Sequence, residues 1–465
     1  MKRFILLAIS ALLLCSCANK SMTRYETLAP VLKKEGFEGT IKKIEEEKDD
    51  IYGSNSTYLY HFDQGTLYHY AGKNKESIKH FEQAEQIYDD LFTKSVTNEA
   101  AAIVTNDNVR PYRARPFELL LMYQYQILNY LAIGDLDGAL VEVRRAQIAM
   151  EALYQKDKDK VNDNGWLRYL SALVYEMAGE DDDAAISYLK AAKAFEEGNV
   201  KMPPEVWEFI TESLTRMDRA DDLKNFKSAK LSQTPKATAA REKGQEIILI
   251  GYAGHSPILG EMYLSGTFVS AGALNLTHKD GKTGKITSFT LIAPPVAGAG
   301  GNTFHVGFSL PQRMDLPQRT SLFAVNVDGQ MKVSPEKVVA VDAELDKNMK
   351  DENATTMVRT ATRVVIRTVA AQKAKSATNT GNGLFDLVKN IAVDVGQSQL
   401  EQADLRVGLF MPNSIYVTRI PVDAGKHQVT ITALGSMGQV VGDYRLGQVS
   451  VAKGQKKFIL VPSID

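Results

Sequence analysis

Past residue 17 the chain has no cysteine. The two it contains, Cys15 and Cys17, lie at the start of a 465-residue sequence. A disulfide framework or a thiolate metal site in the body is excluded. Charge of one sign is not in excess either. Lys plus Arg number 55 and Asp plus Glu number 56, so no basic field exists to grip a phosphate backbone. Nucleic acid is excluded as the main partner. No later apolar run approaches the ~20 residues of a membrane-spanning helix. Familiar catalytic motifs are missing too. There is no HExxH and no GxxxxGK[ST], and Gly254-His255-Ser256-Pro257-Ile258 lacks the closing glycine of a nucleophile elbow. Ala297–Gly301 is glycine-rich, but no Lys-Ser/Thr follows it. The seven histidines, His61, His69, His80, His255, His278, His305 and His427, are scattered. His61 and His69 are two helical turns apart, where a metal pair wants one. The expectation is no enzyme: no catalytic residue, no metal and no cofactor.

What is present begins at the N-terminus. Lys2 and Arg3 precede an apolar stretch from Phe4 to Leu14, broken only by Ser10. It is too short to span a bilayer and reads as a signal peptide. Leu14-Cys15-Ser16-Cys17 then resembles a lipoprotein cleavage site. Cys17 has small Ser16 before it, whereas bulky Leu14 precedes Cys15. The expectation is a signal peptide over 1–16 and a diacylated, N-acylated (palmitate-type) Cys17. Each buried CH₂ of such chains contributes ~0.8 kcal/mol, so several chains anchor stably. Ala18 and Asn19 follow, rather than the Asp that retains lipoproteins in many inner membranes. This implies the outer membrane, with the body facing the periplasm.

A fixed-offset pattern then occurs three times. Gly72, Gly134 and Gly179 are each followed by a small residue five later: Ser77, Ala139 and Ala184. A large residue comes nine later (Phe81, Val143, Tyr188) and an alanine twelve later (Ala84, Ala146, Ala191). Small residues let two antiparallel helices approach, and the turn glycine ends the first helix in a left-handed conformation. The pattern resembles the tetratricopeptide (TPR) repeat. The turn glycines lie 62 and 45 residues apart, so insertions are expected over 93–116 and 154–165. Thr27–Asp50 around Gly36 reads as an entry pair and Glu205–Lys227 as a capping pair. By that resemblance the first helix of each pair lines a groove. The implied partner-binding residues are Phe62, His69, Tyr70, Trp166, Tyr169 and Glu176, with Leu121, Gln124 and Leu128 between them. The alternative is that they pack against neighbouring helices or the second domain.

Further stretches resemble a family of uncharacterised TPR-containing outer-membrane lipoproteins of Gram-negative bacteria. They are Asn129–Ala139, Val141–Arg145, Arg168–Glu176, Gly254–Pro257 and Gln402-Ala403-Asp404-Leu405-Arg406. The resemblance implies that both halves belong together and transfers no activity.

Leu231–Lys243 is polar and reads as a linker. Beyond it the period changes. Glu246–Tyr252 is a buried-strand run, and Lys285–Ile292, Thr303–Leu310, Ser321–Val327, Ile415–Ile420, Gln428–Leu434 and Lys457–Val461 follow as strands. Two helices are expected within them, near 354–375 and 384–401. The first has an apolar face of Met357, Val358, Ala361, Val364, Val365 and Val369. Its Arg359, Arg363 and Arg367 form a stripe suited to an anionic partner, or else a solvated face or one paired with local acids such as Asp342 and Glu344. The fold expected is α+β: a TPR-like helical domain over 17–230, a linker over 231–243, and a mostly antiparallel β-rich domain over 244–465. The function expected is a lipid-anchored periplasmic scaffold that binds another envelope protein through groove and β-domain. The alternatives are a surface glycan-binding lipoprotein or a regulator of cell-wall synthases.

Overall fold

The computed structural model describes residues 20–95, 110–156, 163–198, 204–224, 226, 244–269, 273–281, 283–292, 303–329, 331–378 and 403–464. The signal peptide expected over 1–16, Cys17, the linker expected at 231–243 and the helix expected at 384–401 lie outside them.

Helices come first. α1 (Lys20–Glu46) is broken at Gly36, whose φ of 69° and ψ of −165° no helix contains. Three hairpins follow: α2 (Thr57–Tyr70) with α3 (Asn74–Ser95), α4 (Pro116–Ala132) with α5 (Leu136–Lys156), and α6 (Gly165–Ala178) with α7 (Asp181–Glu197). α8 (Pro204–Arg216) closes the series. Their ends are written locally. Gly72, Gly134 and Gly179 have φ of 69°, 79° and 75°, where other residues are strained. The Asn164 side chain caps α6 by accepting the Leu167 N–H at 2.9 Å. Pro116 opens α4 at the position where its missing N–H costs nothing. The hairpins close tightly because the repeated small residues are buried: a Cβ on Gly65 would lie 2.7 Å from the Phe81 ring.

The β-rich half has three four-stranded sheets. The first runs in the order β12-β1-β9-β8, from β1 (Glu246–His255), β8 (Glu336–Ala340), β9 (Pro412–Pro421) and β12 (Lys456–Ser463). The second is β11-β10-β6-β7, from β6 (Leu322–Val327), β7 (Met331–Val333), β10 (Gly425–Leu434) and β11 (Val440–Val451). The third is β4-β3-β2-β5, from β2 (Ile258–Val269), β3 (Ala273–Lys279), β4 (Ile286–Ile292) and β5 (Thr303–Met314). Pairing among the described strands is antiparallel except for β1 with β12. The architecture is α+β, as expected.

The first sheet is the middle layer. Ile247 and Leu249 pack with Phe323, Val325, Val429 and Ile431 of the second sheet. The alternate residues Ile248, Ile250 and Tyr252 join the helical core. β1 is therefore buried on both faces, which is why its sequence runs apolar without alternation. On the sandwich face Gly251 leaves room for Phe323, whose ring would be 2.5 Å from an added Cβ.

The helix expected at 354–375 starts earlier. α9 spans Val341–Thr378 and lays Met357, Ala361, Val364 and Val365 on Leu264, Leu276, Phe308 and Leu310 of the third sheet. Val358 does not share that face; it is 50% exposed. Strands β2, β3, β7, β8 and β11 have no counterpart among the expected strands. β11 is an edge strand with half of its residues exposed and only Val451 buried, so its sequence lacks the apolar alternation that marks a half-buried strand.

Candidate functional site

The face that α2, α4 and α6 turn toward the β-rich half is the expected groove. It is already occupied. Residues 403–411, immediately before β9, run through it in a largely irregular conformation. Ala403, Leu405, Val407, Leu409, Phe410 and Met411 are all buried within the helical core. The helices hold this strap mainly by its backbone. Arg115 Nη1 donates to the Arg406 carbonyl at 2.7 Å, and Arg24 Nη2 to the Val407 carbonyl at 3.0 Å. The Gly408 N–H donates to Glu118 Oε1 at 2.8 Å and the Leu409 N–H to Asp63 Oδ1 at 2.7 Å. Tyr70 OH donates to the Phe410 carbonyl at 3.1 Å. Five consecutive residues are thus read through their peptide groups. Gly408 is required there, because a Cβ would sit 2.6 Å from the Phe62 ring.

The two carboxylates of this clamp have few lone pairs to spare. Asp63 Oδ2 accepts from Tyr52 OH at 2.8 Å. Glu118 Oε2 accepts from Tyr112 OH at 2.6 Å and from the Arg115 N–H at 2.8 Å. Burial pushes Asp63 up to about 6, although Arg24 and these donors oppose it. Burial raises Glu118 as well, against Arg115 and Tyr112. The strap's own arginine is held in turn. Arg406 pairs with Asp404 at 2.6 Å, donates to the carbonyls of Asn55 and Arg110 at 2.9 Å each, and lies over the Tyr112 ring.

A second polar cluster lies where α6 and α8 meet β1, β9 and β12. Arg419 makes a two-pronged pair with Glu246, at 2.5 and 2.7 Å. Lys456 Nζ is 3.0 Å from Glu176 Oε1. Tyr188 OH donates to Glu176 Oε2 at 2.5 Å, and Arg216 donates to the other oxygen. Arg419 also reaches Tyr169 OH at 3.2 Å. Burial alone would raise Glu176, but Arg419, Lys456 and Arg216 outweigh it and hold the group at about 2. Glu246 is lowered for the same reason, burial being overcome chiefly by Arg419. Thr418 OH donates to Glu205 at 2.7 Å, adding a link to α8.

Between the clusters lies a third node. The His69 ring contacts Asn129 Oδ1 through Nδ1 at 2.6 Å and Tyr252 OH through Nε2 at 3.0 Å. Asn129 Nδ2 donates to Ser77 Oγ at 2.8 Å, and Ser77 donates on to the Gly65 carbonyl. Burial lowers His69 to about 4, so the ring is neutral near pH 7.

These placements correct the expectation of an open groove. Phe62, His69, Tyr70, Trp166 and Tyr169 are buried, and Glu176 nearly so. Phe62 faces Gly408, His69 faces Tyr252, Tyr70 holds Phe410, and Tyr169 and Glu176 face Arg419. Trp166 is packed beside Tyr169 in the core. These side chains pack against the neighbouring helices and the chain's own β-rich half, as the alternative reading has it. Leu121 and Gln124 line a cavity of about 20 Å³ with Phe117, Asn164, Val339, Val341 and Glu344. That holds roughly one water rather than a substrate. The arginine stripe is corrected likewise. Arg363 is buried, with Nη2 donating to Thr360 OH at 3.3 Å, and Arg359 and Arg367 are partly covered and also engaged.

Sequence reasoning missed Arg24, Asp63, Arg115, Glu118, Glu246, Arg419 and Lys456. One signal existed for the first helix pair: Asp63 is the one acid of α2, a helix rich in aromatic residues, where an acid is costly without a partner. For Arg419 and Lys456 the alternation of strands gives no warning of burial. The sequence matches no model of a known protein family and no curated protein.

Proposed function

We propose that the protein is a lipid-anchored scaffold of the bacterial cell envelope that holds another envelope protein at the outer membrane. In this reading the hairpins α2–α3, α4–α5 and α6–α7 are TPR-like repeats, and the chain belongs with TPR-containing outer-membrane lipoproteins. The repeat offsets, the buried small residues and the positive-φ turn glycines support that assignment. Leu14-Cys15-Ser16-Cys17 supports the anchor.

One observation carries the reading. The strap at 403–411 takes the position that an extended peptide ligand has in a groove of this kind, so the helices and sheets form one preassembled body. The partner then meets the outside of that body, on the β-rich half, rather than the groove. The anchor confines the body to the membrane surface and raises its effective concentration for partners there.

Metabolic labelling with an alkyne palmitate, followed by membrane fractionation, tests the anchor. Wild type is expected to label and fractionate with the outer membrane, and Cys17→Ser to do neither. Photo-crosslinkers at Tyr70 and at exposed Met437, Val440 and Leu446 test the surface. Tyr70 is expected to crosslink only within the chain. A wild type that stays soluble and unlabelled, or a Tyr70 crosslink to another protein with none from the β-rich half, sinks this reading.

A further inference from the structure

The third sheet covers α9 with one face, and toward the β3–β4 end its other face is exposed among the described residues. On the open face, at the end where β3 turns into β4, three side chains form a row. Lys279 and Ile286 are ladder partners. Tyr263 lies beside them on β2, since Ser265 pairs with Thr277 two positions earlier and His278 Nδ1 contacts the Tyr263 carbonyl at 2.9 Å. Tyr263 is 52% and Ile286 64% exposed. The Tyr263 ring lies across Gly307 of β5, and its outer face, with Ile286, is left uncovered by any other described residue.

The charge of the same tip is one-sided. Residues 279–285 read KDGKTGK, three lysines to one aspartate. Lys279 and Lys285 are exposed and make no ion pair among the described residues. The aspartate serves the turn: Asp280 Oδ1 accepts from the Thr283 N–H at 2.6 Å and from its hydroxyl at 2.9 Å. An aromatic ring, an aliphatic side chain and unpaired lysines together match the headgroup zone of an anionic lipid surface. Rings settle there at the boundary, and lysines meet phosphate.

The position fits. Tyr25, near the start of α1, packs edge-on against His255 at the end of β1. β2 begins three residues later, and Tyr263 is five residues along it, about 17 Å at ~3.3 Å per residue. β4 lies two ladder spacings aside, about 10 Å. Cys17 precedes α1 by three residues, a reach of at most ~11 Å. The tip and the anchor are therefore separated by some tens of ångströms at most, a span that one membrane surface accommodates.

We propose that Tyr263, Lys279, Lys285 and Ile286 form a second membrane contact, which seats the body on anionic phospholipid headgroups beside its acyl anchor. This rests on the anchored reading above and adds an orientation to it. The anchor supplies the affinity, and the patch selects which face meets the lipid.

The body has no cysteine after Cys17, so Ile286→Cys offers a single labelling site. The lipidated mature chain, carrying an environment-sensitive fluorophore there, is placed in vesicles of phosphatidylcholine alone or with phosphatidylglycerol, with nitroxide-labelled lipid as quencher. Quenching is expected with phosphatidylglycerol and little without it. Lys279→Gln and Lys285→Gln should each lower the seated-to-free ratio about fivefold. The same label at Met437→Cys, in the β10–β11 turn, should stay unquenched. Flotation of the chain with the vesicles reports the anchor separately. A floating chain whose position 286 is no more quenched than position 437 overturns the patch and leaves the anchor standing. A chain that floats only with phosphatidylglycerol, and only with both lysines intact, supports the patch and overturns the anchor.

Discussion

The two ends of the interface between helices and sheet bury the same kind of group with opposite results. At the strap, Asp63 and Glu118 are carboxylates whose affinity for protons is raised. At the far end, Glu176 and Glu246 are carboxylates whose affinity is lowered. Burial pushes all four upward. The difference is the number of cations brought within reach. Glu176 and Glu246 share Arg419 and Lys456, and Glu176 adds Arg216, whereas Glu118 has Arg115 and Asp63 has Arg24 at 3.7 Å, with otherwise neutral donors. Charge compensation decides whether a buried acid behaves as an ion, and hydrogen bonds from peptide groups only partly replace it.

Removing the cation from the compensated end should give the largest effect. Arg419→Met takes the two-pronged partner from buried Glu246, leaving it Lys456 at 3.7 Å, and stability to urea is expected to fall by about 3–5 kcal/mol. Adding Glu246→Gln should restore part of it. If the single variant loses under 1 kcal/mol, the compensation argument fails.

The two ends should also respond to acid in opposite directions. The Asp63 value of about 6 exceeds its ordinary value near 4, so between these pH values the folded state binds more protons than the unfolded one. Its contribution therefore makes the protein less stable as pH rises from about 4 to 6, by about 2 kcal/mol. Glu176, at about 2, binds fewer protons when folded. Its contribution is present above its unfolded value near 4.3 and is lost as pH falls toward 2. Thermal melts across pH should show Asp63→Asn flattening the upper window and Glu176→Gln the lower. An Asp63→Asn profile parallel to wild type would refute the assignment.

Gly408→Ala sharpens the comparison at the strap. Its Cβ would meet the Phe62 ring, and overpacking of this kind costs about 1–3 kcal/mol. Phe62→Leu in the same chain should recover some of that loss, which measures the coupling by a double-mutant cycle. Smallest is Tyr252→Phe. It deletes the hydroxyl that meets His69 Nε2, a loss of about 1 kcal/mol in the denaturation midpoint.

Much of the helical half was legible. The offsets from Gly72, Gly134 and Gly179 located three hairpins, because close helix packing imposes residue size at fixed positions. The inward-facing side chains of α2, α4 and α6 drew notice in the sequence as well; what packs against them was not legible. Asp63 and Glu118 meet the strap across 346 and 290 residues of chain, and no periodicity encodes a contact of that range. The strands divided by burial. β1, covered on both sides, declares itself as a continuous apolar run. β11, exposed at an edge, does not.

The sequence by itself determined where helices turn, which half is β-rich, and that the body carries no thiol chemistry, because these depend on residue type and local spacing. Only the tertiary structure decided that the helices' inner face closes on residues 403–411, and which acids and cations share each end of that closure. Those are properties of distance in space, and burial sets their energies only after the two halves have met.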